Sequence, residues 1–154
     1  MNNQKKMGNK GFSLVELIVV IAIMAVLIGV LAPQFLKFVE RGRKSTDVQN
    51  VSSIITAVQT YVADPMVATA DQLTNPTYTL TLSTTEHTIT TPADNLEKAL
   101  VAAGIKSYGL KSSKWNSSGN VVITFTIGTD GSVSAAQTTP TATATLDIVK
   151  GLYQ

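Results

Sequence analysis

Residues 11–36 read GFSLVELIVVIAIMAVLIGVLAPQFL, and Glu16 is the only charged residue among them. A helix crosses a bilayer with ~20 mostly apolar residues at ~1.5 Å rise each, so the run is long enough to span one. Both flanks are basic. Lys5, Lys6 and Lys10 precede the run, and Lys37, Arg41, Arg43 and Lys44 follow it. Excess positive charge marks the cytoplasmic side of a span, so two basic flanks leave the orientation open. A plain single-pass anchor or a secretory signal peptide fits the apolar run, but neither accounts for Glu16. A carboxylate at the bilayer centre costs ~2.5 kcal/mol or more, and less near the interface. An acid kept inside a span is therefore read as functional, with a partner to be named. Signal-peptidase cleavage after Val30-Leu31-Ala32 is disfavoured by Pro33, which has no amide hydrogen and restricts the residue before it.

The rest of the composition is poor in reactive groups. The chain has 154 residues, 12 Lys+Arg against 10 Asp+Glu, and a formal net charge of +2. That balance argues against a protein that coats nucleic acid. Charged residues are 14% of the chain, against ~25% in ordinary soluble domains. There is no Cys, which excludes a disulfide scaffold, a thiolate zinc site and a thiol nucleophile. His87 is the only imidazole, too few for a His-rich metal site. No nucleophile, base and acid set is visible, so neither an enzyme nor a bound metal or cofactor is expected.

Gly11-Phe12-Ser13-Leu14-Val15-Glu16-Leu17 resembles the processing signature of type IV prepilins and type II secretion pseudopilins. In that family a short basic leader precedes the pattern and an apolar helix follows it, as they do here. The resemblance covers residues 1 to about 63. It implies a leader of residues 1–11, cut after Gly11 by a membrane-embedded prepilin peptidase, and N-methylation of Phe12. A residue without a side chain suits a scissile position in a tight site. It also implies that residues 12–36 are first a membrane span and then part of a filament core. Removing the leader takes away Lys5, Lys6 and Lys10, leaving nine basic and ten acidic side chains. A free α-ammonium on Phe12, buried in an apolar core, needs a counter-charge, and Glu16 of a neighbouring subunit can provide it. Gly29 and Pro33 are the weak points of the helix. Pro33 removes a backbone hydrogen bond and predicts a kink; the resemblance adds local melting between the two residues on assembly. The implied function is a pilus filament subunit, with a secretion or competence pseudopilin as the close variant. A permanently anchored surface binding protein is the alternative from another class. The implied partners are copies of the chain in a helical filament, the peptidase and an inner-membrane assembly platform. The implied location is the cytoplasmic membrane before assembly and the cell surface after it.

Beyond Phe38 the helix changes character. Val48, Val51, Ile55, Val58 and Val62 recur at helical spacing, with Ile54 and Tyr61 widening the stripe. Asp64-Pro65 ends the helix, because Pro65 disfavours helical geometry at Asp64. The expected helix runs over residues 12–63, with 37–63 as an amphipathic spine and 64–154 as a β-rich head. Tyr78, Leu80 and Leu82 alternate with threonines, so residues 77–82 predict a strand. Residues 87–90 predict its return, 121–127 the clearest strand, and 133–135 the start of another after the turn Gly128-Thr129-Asp130-Gly131. Residues 141–148 alternate as well and predict a last strand, whose pairing is expected to hold a cysteine-free C-terminal region. Thr91 as N-cap, Pro92 in the first turn and the apolar positions Leu96, Ala99, Leu100 and Ala103 predict a short helix stopped by Gly104. The fold class is α+β, pilin-like: one long helix on a small antiparallel sheet.

The head offers weaker candidates. His87 reads as an exposed structural residue. Lys106, Tyr108, Lys111, Lys114 and Trp115 mix bases with aromatics, as single-stranded DNA or surface binding requires, although an edge loop with one core aromatic reads alike. Asp130 suits a turn better than a calcium site. Asn50 and Asn116 match the N-glycosylation pattern, which short sequences meet by chance.

Overall fold

The computed structural model describes residues 11–74, 76–85, 87–90, 93–105, 109–141, 143 and 145–151. The chain divides into two compact units, Met1–Val39 and Glu40–Gln154. Helix α1, Leu14–Ala63, contributes to both.

In the first unit α1 has no partner. Every residue from 11 to 38 is exposed, including Leu14 at 72%, Ile18 at 51% and Leu36 at 66%. The helix is long and apolar enough to cross a membrane. It runs through Gly29 and Pro33 as one element. It begins at Leu14 rather than at Phe12, and the Glu16 carboxylate accepts the amide of Ser13, the residue just before it.

In the second unit α1 buries one face. Val51, Ile54, Ala57 and Val58 are buried, and Val48, Ile55, Tyr61 and Val62 pack at the margin. The buried stripe is thus rotated slightly from the one the valines suggested, with Ile54 rather than Ile55 at its centre. The exposed face is rich in Ser and Thr. Thr46, Ser53, Thr56 and Thr60 each donate to the carbonyl four residues back, which satisfies their hydroxyls without leaving the helix surface. The helix ends where Asp64 turns, its carboxylate accepting the Met66 amide at 2.8 Å.

Four antiparallel strands follow: β1 (Thr77–Leu82), β2 (His87–Thr90), β3 (Val121–Ile127) and β4 (Val133–Thr139), in the order β2-β1-β3-β4. The alternation predicted the inner face: Tyr78, Leu80, Leu82, Val121, Ile123 and Phe125 are all buried. A bulge after Val122 leaves Thr138 unpaired in the ladder. Helix α2 (Ala93–Ala102) adds Leu96, Ala99 and Leu100 to the core, while Ala103 is exposed. Gly104 at φ 77° ends it: its amide reaches Val101 O at 2.9 Å, and the Ile105 amide reaches Leu100 O at 2.9 Å. That pair of bonds satisfies the last carbonyls of the helix. The expected N-cap, Thr91, and Pro92 lie outside the described residues.

Among the described residues of 141–148 no strand forms: Thr143 and Leu146 bond each other across a tight turn, at 3.1 and 3.3 Å, and residues 148–151 turn. Local polar groups win over sheet pairing. Asp147 accepts the amides of Val149 and Lys150 at 3.0 and 3.1 Å. The buried Gln137 amide of β4 donates to Pro140 O at 2.6 Å and accepts the Ile148 amide at 2.7 Å, seating Ile148 in the core. Among the described residues, side-chain hydrogen bonds and the burial of Ile148 hold the C-terminal region.

Candidate processing and assembly site

The apolar run begins with a sharp change of backbone. Gly11, Phe12 and Ser13 are non-helical, and the Leu17 amide makes the first helical bond, to Ser13 O at 3.2 Å. Ser13 occupies the N-cap and Glu16 the third helical position. The Glu16 carboxylate reaches back and accepts the Ser13 amide at 2.8 Å. This is the acid's half of a capping box, which satisfies a donor that the helix itself cannot. An acid in the first turn also faces the positive end of the helix dipole. Sequence reasoning missed the capping role, although Ser13-x-x-Glu16 before an apolar run is its signal.

Phe12 is 92% exposed, and Gly11 has open space around it: a Cβ added there would meet nothing within 4 Å. The arrangement presents an exposed, non-helical Gly11-Phe12 bond just before the apolar helix, with one carboxylate a turn further on.

Residues 6–32 match the family model for the prokaryotic N-terminal methylation motif. The chain carries that motif. Together with the long helix on a four-stranded sheet, it makes this a pilin-like chain. The chain is similar to the type IV major pilin protein PilA of Myxococcus xanthus (strain DK1622), 34% identical over 56 residues, which are 36% of this chain and 26% of that protein. It is also similar to prepilin peptidase-dependent protein A of Clostridium perfringens (strain 13 / Type A), 33% identical over 69 residues, 45% of this chain and 49% of that protein. The chain thus spans about a quarter and about half of these relatives. No solved structure matches it.

The head of the pilin-like chain rearranges the remaining candidates. Trp115 is only 2% exposed, so it offers no stacking platform for a base. Its Nε1 donates to Asp47 Oδ2 at 2.9 Å. Asp47, on α1, is 1% exposed and also accepts the amides of Lys111 at 2.6 Å and Ser112 at 3.0 Å. Three donors on one carboxylate offset the cost of burying it. Lys44, one turn earlier and 6% exposed, lies over the Trp115 ring at 5.2 Å. Ser112 donates its hydroxyl to Glu40. The clasp has a sequence signal: Lys44, Asp47, Val51, Ile54 and Val58 are spaced 3, 4, 3 and 4, so the charged pair extends the buried stripe.

Lys106 and Tyr108 lie outside the described residues. His87 opens β2 opposite Leu82 and is half-buried rather than exposed. Asp130 accepts the Ser132 amide at 3.0 Å within the β3–β4 turn. Bonds from Ser132, the hydroxyl first and then the amide, hold its carboxyl below the usual range. Asn116 closes its own loop, donating to Asn120 O at 2.6 Å and accepting the Asn120 amide at 3.1 Å. Asn50 is half-buried on α1. Tyr61 donates to Asp71 O at 3.2 Å, and burial first, then the Asp71 carboxylate, pushes its phenol above the usual value. Among the described residues no three His, Asp or Glu side chains converge as a metal site.

Proposed function

We propose that the chain is a structural subunit of a type IV pilus filament. Prepilin peptidase removes residues 1–11 by cutting between Gly11 and Phe12, and Phe12 is N-methylated. Residues 12–36 span the cytoplasmic membrane before assembly and pack in the filament core after it. Residues 37–63 are the spine of the head, and 64–154 complete it. An assembly platform in the membrane passes subunits into the filament, which emerges at the cell surface.

One observation carries this reading: the motif Gly11–Leu17 stands at the free end of a helix whose apolar side chains are exposed all the way round from Leu14 to Phe38. Apolar surface of that extent is stable only in lipid or against other helices. The two settings are the two stages of a filament subunit. In the unassembled chain Glu16 holds its own Ser13 amide. In the filament it faces the Phe12 ammonium of a neighbour, which fixes axial register, because a misplaced subunit leaves two charges unpaired in an apolar core. Gly29 and Pro33 are where the helix melts during that transfer, since Pro33 already lacks one backbone bond.

The test is Glu16→Ala. Membrane insertion should be kept or improved by ~2.5 kcal/mol or more. Assembly should fall, by the ~3 kcal/mol of a broken buried pair, roughly a hundredfold in the assembly equilibrium. Filament mass in sheared surface fractions is measured beside total processed subunit, whose N-terminus is read by mass spectrometry. Wild-type filament yield would remove Glu16 from assembly. A mature start at Met1 would make the protein a permanent anchor instead. Processed subunits without surface filaments in the wild type would make it a pseudopilin.

A further inference from the structure

The clasp around Asp47 brings together two groups of cations far apart in sequence. Arg41 and Arg43 flank Glu40 on α1, and Lys111 and Lys114 flank Ser112 in the loop that follows α2. The Ser112 hydroxyl is bonded to Glu40, the Lys111 amide is 2.6 Å from Asp47, and the Lys114 amide is 3.0 Å from Ser112 Oγ. All four cationic side chains are exposed. The two acids among them are already engaged: Asp47 with its three donors, and Glu40 with Ser112 and, at 3.9 Å, with Arg43. Lys44 is turned inward over Trp115. The second unit therefore carries an outward patch of positive charge where its part of α1 begins.

We propose that Arg41, Arg43, Lys111 and Lys114 form a docking surface for anionic phospholipid headgroups, seating the head on the membrane before assembly. The occupant follows from charge and from chain length. Arg41 lies three residues after Phe38, the last of the exposed apolar residues of the span. Three residues reach at most ~11 Å even when fully extended, so Arg41 cannot leave the neighbourhood of the headgroups while the apolar run is in lipid. Within the second unit, the hydrogen bonds of the clasp tie the loop that carries Lys111 and Lys114 to Glu40 and Asp47, the neighbours of Arg41 and Arg43 on α1. Single-stranded DNA is less well served, since the aromatic that could stack a base is buried. The proposal rests on the reading that residues 12–36 lie in a bilayer, not on filament formation.

The full chain has no cysteine, so Ser117→Cys on the exposed loop gives a unique label site. A fluorophore there is read in nanodiscs of phosphatidylcholine alone and with phosphatidylglycerol, each carrying a headgroup quencher. Each cation near an anionic surface contributes about 1 kcal/mol, a factor of about five. Quenching should be several-fold stronger with the anionic lipid, should fall in ~1 M salt, and should drop to the neutral-lipid level in Arg41→Gln/Arg43→Gln/Lys111→Gln/Lys114→Gln. Trp115 emission verifies that the clasp survives in this variant. Equal quenching in the two lipids, or in wild type and variant, overturns the proposal. Retardation of a single-stranded oligonucleotide that the variant loses, without lipid dependence, would overturn it too and make the patch a nucleic-acid site. Failure of the full chain to enter neutral nanodiscs would overturn the membrane reading itself, whereas processing and filament yield report separately on the pilus reading.

Discussion

The two halves of α1 use the same backbone and opposite rules. In the first, Leu14, Leu27 and Leu36 are 72%, 53% and 66% exposed; in the second, Val51 and Val58 are fully buried. Up to Leu36 the first half is apolar on every face and charged at one residue, Glu16. The second is apolar on one face and buries two charges, Lys44 and Asp47, on that same face. In the first half every apolar side chain up to Phe38 is exposed, so none has a fixed neighbour within the described residues. In the second half each side chain has a fixed neighbour, and a single deletion leaves a cavity or an unpaired group.

Cutting between the halves gives the largest contrast. A chain starting at Lys37 keeps nine basic and nine acidic side chains and discards the apolar run. It should be soluble and monomeric; a large oligomer by light scattering would mean that the head carries its own assembly surface. Next comes a matched pair in the full chain in detergent. Leu80→Ala, at a fully buried site, should destabilise the head by about 4 kcal/mol, while Leu27→Ala should leave its unfolding unchanged. Similar losses at both would show that the two halves are not energetically separate. Asp47→Ala should follow, removing about 3 kcal/mol, since the Lys111 and Ser112 amides and Trp115 Nε1 lose their acceptor and Lys44 loses a nearby negative charge. Urea unfolding followed by Trp115 fluorescence measures it, and an unchanged midpoint would show that the clasp contributes nothing net. The smallest effect belongs to Asp130. Its carboxyl titrates below the usual value in the folded turn, so its contribution is present above that usual value and is lost as pH falls through it to the folded one. Wild-type and Asp130→Asn urea midpoints should therefore differ slightly near neutral pH and converge in acid, once the folded carboxyl is protonated.

Much of the molecule was legible from the chain alone, and for a reason that differs by region. The span, the motif at Gly11–Leu17, the strands β1 and β3 and the helix stop at Gly104 are written in neighbouring residues, as an apolar run, a fixed order, a period of two and a residue that tolerates positive φ. Residues 141–148 have the same alternation as a strand, yet the described ones form no strand, and Gln137 takes the Ile148 amide while Asp147 takes those of Val149 and Lys150. Trp115 read as a stacking residue or as the one core aromatic of an edge loop; it is the core aromatic, held by an acid 68 residues away. The sequence by itself determined where the chain can meet lipid and where its strands lie, since hydropathy and backbone period are local properties. Only the tertiary structure decided that Asp47 is buried, that it organises the loop around Trp115, and that the loop carrying Lys111 and Lys114 is tied to Glu40 and Asp47 on α1. The physical reason is that a polar group's worth depends on which donors surround it once water is gone, and those donors come from distant parts of the chain.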